Sequence, residues 1–127
     1  MTRVSVLLTM VVLAGCNGST DEPLLPCDDG VFVNATTGTT PTFSWNPACL
    51  ISRIAVADSA GTILWDVQTT ASVMAPPLVY GQTPDGAVVH TTPGALVAGR
   101  SYSVGVYRSI GLQQDDIDLV GAESFRP

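Results

Sequence analysis

Short apolar runs with a period of two recur along this chain, and they constrain its fold more than any other feature. Residues 101–109 place Tyr102, Val104 and Val106 at alternate positions, with small or polar residues between most of them. This is the pattern of a half-buried strand. Similar runs lie between clusters of Gly, Pro, Asn and Asp, and no segment carries a 3.6-residue apolar stripe. We therefore expect an all-β fold.

One hairpin can be placed from the sequence. Residues 54–57 form an apolar run that ends at the turn-forming residues 58–61, and residues 62–67 resume as the partner strand. Residues 119–120 and 122–125 supply a last strand near the C-terminus. Short strands at this spacing are typical of an antiparallel β-sandwich.

The first 15 residues have the composition of an export signal. Arg3 and the N-terminal amine give a positive start, and residues 4–14 form an apolar run of eleven. A helix needs about 20 residues to span a bilayer, so this run is too short to be a stable anchor.

Residues 13–16, Leu13-Ala14-Gly15-Cys16, resemble the lipobox of bacterial lipoproteins. The resemblance implies cleavage after Gly15, removal of residues 1–15, and a lipid on Cys16 that holds the protein at the membrane of the cell envelope. Asn17 follows the cysteine, which by the same resemblance favours the outer membrane. The alternative is an ordinary secretory signal in which Cys16 is incidental.

The cysteine count agrees with this interpretation. Three cysteines leave an odd one in an exported chain, unless Cys16 carries lipid and Cys27 and Cys49 form a pair. An oxidising compartment permits a disulfide between them, and two free buried thiols are the alternative. A zinc site is not expected, because His90 is the only histidine and lies far from the cysteines in sequence.

Composition limits the remaining architecture and the possible partners. Residues 16–26 are polar and rich in turn-forming residues, so we expect a lipid-bearing tether followed by one domain over residues 27–127. Cleavage would leave four Arg, no Lys and eleven acidic residues, a formal charge of −7. This balance opposes binding to nucleic acid through a basic face.

Two segments resemble the fibronectin type III domain. Residues 41–45, PTFSW, are similar to its second strand with a core tryptophan, and residues 96–106, LVAGRSYSVGV, are similar to its Leu-x-Pro-Gly-x-x-Tyr-x-Val-x-Val signature. The resemblance implies a single immunoglobulin-like or fibronectin type III-like sandwich of about seven strands, in which the Tyr102 hydroxyl bonds back to the preceding corner. Ala98 replaces the usual Pro, and residues 68–93 form a longer stretch than the family has there.

The predicted core follows from these segments and from the alternation. Its members are Phe43, Trp45, Ile54, Val56, Leu96, Gly99, Tyr102, Val104, Val106 and Phe125. Trp65 can be interpreted either as a core residue or as an exposed platform for a ligand.

Candidate chemistry is sparse. His90 lies in an alternating run, without a Ser or Asp at a recognised motif spacing, and is interpreted as a strand residue. The carboxylates of Asp115, Asp116 and Asp118 are weak candidates for Ca²⁺ ligands, because the run lacks the register and the Gly turn of a calcium loop. The segment 28–30, Asp-Asp-Gly, is interpreted as a turn. We expect no cofactor and no catalytic site.

The sequence therefore favours a lipid-anchored, non-catalytic envelope β-sandwich that acts as a structural or protein-binding module. One alternative is a glycan- or peptide-binding lipoprotein with Trp65, Tyr80 and Tyr107 as contacts. Another is an accessory subunit of an envelope enzyme.

Overall fold

The computed structural model describes residues 22–127, and all of its regular structure is β. The predicted β-sandwich is confirmed, with eight strands in the place of about seven. The strands are β1 Phe32–Ala35, β2 Thr42–Asn46, β3 Arg53–Asp58, β4 Ile63–Gln68, β5 Leu78–Val79, β6 Val88–Thr91, β7 Tyr102–Ser109 and β8 Ile117–Phe125.

The strands form two antiparallel sheets. The smaller sheet has the order β1-β2-β5, and the larger has the order β6-β4-β3-β7-β8. The eighth strand comes from residues 68–93, where the sequence places no strand boundaries. That stretch supplies β5, which has only two residues, and β6, which pairs with β4 at the edge of the larger sheet.

The hairpin between β3 and β4 forms where the sequence predicts it. Asp58 closes the turn, because its Oδ1 accepts hydrogen bonds from the amides of Ala60 and Thr62, each at 2.9 Å. Gly61 adopts a φ of 83°, a conformation that residues with a Cβ rarely take. The side chain and the glycine together fix the reversal of the chain.

The core lies between the two sheets and centres on aromatic rings. Phe43 and Trp65 are fully buried, with their ring centroids 6.3 Å apart, and Tyr80 packs edge-on against Trp65 at 5.2 Å. Eight predicted core residues are buried: Phe43, Trp45, Ile54, Val56, Leu96, Tyr102, Val104 and Val106.

Two predicted core residues need correction. Phe125 is only partly buried, because it lies near the end of the last strand, where it contacts the rings of Phe43 and Tyr102 from the edge of the core. Gly99 is exposed and has a φ of 82°. Its role is to form the turn before β7 rather than to fill the core.

The hydroxyl of Tyr102 forms the corner bond that the resemblance implies. It accepts a hydrogen bond of 2.8 Å from the backbone amide of Val97, five residues upstream. The ring of Tyr102 is 5 % exposed, so this bond joins the buried start of β7 to the loop that precedes it. The geometry is that of a tyrosine corner.

A bulge in β8 joins the two sheets along one edge. Val106 pairs with Gly121 and Tyr107 pairs with Leu119, which leaves Val120 as the extra residue. The carbonyl of Val120 then accepts a hydrogen bond of 2.8 Å from the amide of Val31, just before β1. A Cβ on Gly121 would lie 2.7 Å from the carbonyl oxygen of Val31, so this close approach requires glycine.

The predicted disulfide between Cys27 and Cys49 is present, with the two Cα atoms 4.9 Å apart. Beside it, the amide of Leu50 donates to the carbonyl of Leu25 at 2.8 Å, and Pro26 bridges to Leu50. The last two residues of the predicted tether therefore lie against the sandwich. Cys16 and the lipobox lie outside the described residues.

Candidate functional site

The outer face of the larger sheet carries a group of polar side chains that are joined by hydrogen bonds. Residues of β3, β4 and β7 that alternate with the core positions point to this face. Arg53 lies opposite Gln68 on one side and Tyr107 on the other. Asp66 lies two residues before Gln68 on β4, within reach of the guanidinium.

Arg53 and Asp66 form a bidentate ion pair. Arg53 Nε donates to Asp66 Oδ1 at 2.9 Å, and Nη2 donates to Oδ2 at 2.8 Å. The two side chains are 19 % and 10 % exposed, so solvent screens the pair less than it screens a fully exposed one. The guanidinium also lies 4.8 Å from the centroid of the Tyr107 ring, within the range of a cation–π contact.

The hydrogen bonds to Asp66 raise the pKa of Arg53 above its usual value. Burial acts in the opposite direction, and the charge of Asp66 adds to the rise. The guanidinium therefore stays positive at neutral pH, as arginine does in proteins generally. It serves as a fixed cation that orients Tyr107 and Asp66 on the sheet.

The loop between β7 and β8 folds back over this face. The buried side-chain amide of Gln68 donates a hydrogen bond to the backbone carbonyl of Gln114. The amide of Gln114 lies 2.7 Å from Nε2 of His90, which lies on β6, where the alternating run predicts a strand residue. The loop is thus fixed to two neighbouring strands.

A shallow depression of about 350 Å³ lies between the sheet and this loop. Its lining residues share the ability to donate or accept hydrogen bonds, apart from one apolar member: Arg53, Gln68, His90, Gln114, Asp115 and Ile117. The volume is at the lower end of the range for small-ligand sites. Amide, imidazole, guanidinium and carboxylate groups in one place suit a polar, hydrogen-bonding ligand.

Two of the three predicted aromatic contacts do not lie on the surface. Trp65 is fully buried and Tyr80 is 7 % exposed, so neither can stack on a ligand. A bulge in the hairpin explains Trp65: Ala57 pairs with Ile63, but Val56 pairs with Trp65, which places Trp65 on the core face.

The buried position of Tyr80 is also explained by its partners. Its hydroxyl donates a hydrogen bond of 2.5 Å to the carbonyl of Gly94. Burial raises the pKa of the Tyr80 hydroxyl, and Tyr102 adds to the rise. Tyr107, the third predicted contact, is half-buried on the outer face, with its ring beside Arg53.

The acidic loop residues have separate partners. Asp116 Oδ2 accepts from the amide of Gln113 at 3.2 Å, and Asp118 pairs with Arg108 at 3.2 Å. Asp115 lines the depression described above. Across residues 22–127, no three side chains of His, Cys, Asp or Glu are placed so that they could hold a metal ion together.

Sequence reasoning missed Arg53, Asp66, Gln68 and Gln114 as members of a polar cluster. The available signal was the presence of Asp66 and Gln68 on either side of Val67 in an otherwise apolar strand. Charged or amide side chains at such positions favour a functional or structural polar cluster, because each needs a partner when it is buried.

Comparisons with known proteins give no relative from which a function could be transferred. No protein-family model, curated protein or solved structure matches this chain. Within residues 22–127, the structure has no helix of sufficient length and hydropathy to cross a membrane.

Proposed function

We propose that the protein is a lipid-anchored, non-catalytic module of the bacterial cell envelope, exported by residues 1–15 and held at the membrane by a lipid on Cys16. The observation that carries this proposal is the sequence Leu13-Ala14-Gly15-Cys16 after a short apolar run. Asn17, which follows the cysteine, favours the outer membrane by the same resemblance, and the sandwich then faces the periplasm or the cell surface.

The disulfide supports export. Structural disulfides persist in oxidising compartments and are rare in the reducing cytosol. Cys27 is 2 % exposed, and Cys49 packs against the core, so the bond belongs to the folded domain rather than to an exposed reactive pair. With these two cysteines paired, Cys16 is the one cysteine left for a lipid.

The sandwich supports the proposal of a fibronectin type III-like module. Its Tyr102 corner bond and the strands formed by the two matching segments agree with that family's pattern. Two strands depart from that pattern, β6 and the two-residue β5. Both lie in residues 68–93, the stretch that is longer than the family has there. Such sandwiches bind partners through loops and sheet faces, and the fold itself does not determine which partner is bound.

Lipid attachment can be tested by metabolic labelling with an alkyne-bearing palmitate. We expect label in the wild-type protein and none in Cys16→Ala, which should also remain unprocessed. A Cys27→Ala/Cys49→Ala double variant is the matched control, because it removes two cysteines but keeps Cys16. Label in Cys16→Ala at the wild-type level would contradict the proposal.

A second candidate function is the binding of a glycan or peptide. The depression lined by Arg53, with its five hydrogen-bonding side chains, favours this function, although Trp65 and Tyr80 take no part. Glycan-array and envelope pull-down assays separate this function from a purely structural role. We expect Gln114→Ala to weaken saturable binding and Gln113→Ala, on the same loop but outside the lining, to leave it unchanged. Equal effects of the two variants would exclude this depression as the site.

A further inference from the structure

Ten large apolar side chains are exposed in residues 22–127, and three of them, Phe32, Val88 and Leu119, lie on strands β1, β6 and β8. Five of the others lie in the loops at one end of the sandwich. We call this end the N-terminal pole and define it by residues 22–31, 46–52, 69–74 and 109–117. Five large apolar side chains are exposed on it: Leu24 at 38 %, Leu25 at 72 %, Val73 at 56 %, Ile110 at 61 % and Leu112 at 96 %.

These side chains come from three separate segments that meet in space. Pro26, Ser72 and Leu112 line one depression of about 290 Å³. The amide of Ser109 donates to Oγ of Ser72 at 2.9 Å, which ties the loop after β7 to the segment after β4. Leu25 is held beside them by its bond to Leu50. The three segments that carry the exposed apolar side chains therefore lie next to one another at this pole.

The opposite end of the sandwich is different. The far pole consists of the β3–β4 turn and the loop before β7. Of the large apolar side chains near it, Ile63 is 40 % and Val97 is 45 % exposed. They lie on different segments, and isolated exposed residues of this kind are ordinary on protein surfaces.

The chain length outside the described residues indicates what could cover the N-terminal pole. Six residue steps separate Cys16 from Glu22, where the described chain begins at this pole. Fully extended, six steps reach about 20 Å. A lipid on Cys16 would therefore keep this end, and not the far pole, close to the bilayer.

We propose that the N-terminal pole docks onto the surface of the bilayer that holds the Cys16 lipid, a proposal that rests on the lipid anchor proposed above. Leu24 and Leu25 lie near the end of the predicted tether, and Leu112 lies exposed on the loop between β7 and β8. Apolar side chains of this size partition into the boundary between headgroups and acyl chains. Docking would orient the sandwich with its far pole away from the membrane.

The charge of the pole specifies the lipid. Asp28 and Asp29 lie beside the disulfide, and Asp115 and Asp116 lie in the loop after Leu112. These carboxylates repel anionic headgroups, and the residues that define the pole include no Lys or Arg. The guanidinium of Arg108 reaches the pole, where it donates to the carbonyls of Cys27 and Asp28, and it is paired with Asp118. We therefore assign the docking surface to zwitterionic lipid such as phosphatidylethanolamine and expect phosphatidylglycerol to weaken it.

The test uses the full lipidated protein, purified from membranes and reconstituted into phosphatidylethanolamine/phosphatidylcholine vesicles that contain acyl-brominated lipid. Leu112→Trp places an indole on the N-terminal pole, and Val97→Trp places the same indole on the far pole as the matched control. Trp45 and Trp65 are buried and common to both variants. A general preference of indole for membrane interfaces would act on both variants alike.

We expect brominated lipid to quench the added indole of Leu112→Trp and to leave that of Val97→Trp unchanged, with less quenching when phosphatidylglycerol is added. Flotation of the protein together with the vesicles measures lipid anchoring independently of docking. Flotation with equal quenching of both probes, or of neither, would overturn the docking proposal and leave the anchor intact. A Leu112-dependent dimer or protein complex without quenching would also overturn it. Failure to float would refute the anchor and the docking together.

Discussion

The disulfide between Cys27 and Cys49 allows a quantitative test of how the sandwich is held together. The bond closes a loop between residues 22 positions apart. The chain-entropy relation assigns about 3.4 kcal/mol to a loop of this length at 25 °C. With an unfolding entropy of about 0.2 kcal/mol/K for a domain of roughly 100 residues, this corresponds to a fall of about 17 °C in Tm.

Urea denaturation of the wild-type protein, of the same protein under reductant, and of Cys27→Ala/Cys49→Ala measures this contribution. We expect both perturbed forms to lose about 3 kcal/mol in the free energy of unfolding, and the double variant to lose slightly more because Cys27 is buried. The slope of the free energy with urea should rise without the bond, because the unfolded chain becomes less compact. A loss below about 1 kcal/mol with an unchanged slope would refute this reasoning.

Three further variants probe the rest of the fold. Gly121→Ala should destabilise the domain by about 1 to 3 kcal/mol, because the added Cβ meets the backbone of Val31. Gly30→Ala is the control, because its Cβ would lie 3.6 Å from the nearest atom. Equal melting temperatures of the two variants would contradict the close approach at Gly121. Tyr102→Phe should cost about 1 to 2 kcal/mol through the lost corner bond, and an unchanged melt would argue against the corner. The pKa of Tyr80 is raised in the folded state, so above a pH of about 10 the unfolded chain loses this proton first and the free energy of unfolding should fall. Tyr80→Phe should reduce this loss of stability at alkaline pH. An identical dependence of stability on pH in the variant and the wild type would contradict the role of Tyr80.

Local patterns made part of this fold predictable. The alternation in residues 101–109 identifies which side of β7 faces the core, and Asp58 and Gly61 mark the hairpin turn. These signals depend on a few neighbouring residues, so they can be recognised in the sequence without knowledge of the tertiary structure. By contrast, β5 has two residues and exists only because β2 lies beside it. Such a strand leaves almost no local signal.

Because of one bulge, strand alternation counted from the hairpin turn does not predict the polar cluster. Counting pairs outward from the hairpin turn without a bulge places Trp65 opposite Ala55 on the outer face and Asp66 on the core face. The extra residue Leu64 shifts the register by one position, so Trp65 turns inward and Asp66 turns outward to meet Arg53. The same shift explains why Trp65 cannot serve as a ligand platform.

We propose that the mature protein begins at Cys16 and carries lipid there, and intact mass spectrometry of the protein extracted from the membrane fraction measures both properties at once. We expect the mass of residues 16–127, increased by a diacylglycerol group and an N-acyl chain, and two hydrogens lighter than the reduced form because of the Cys27–Cys49 bond. A mature chain that begins at another residue and carries no lipid mass would refute the lipid anchor.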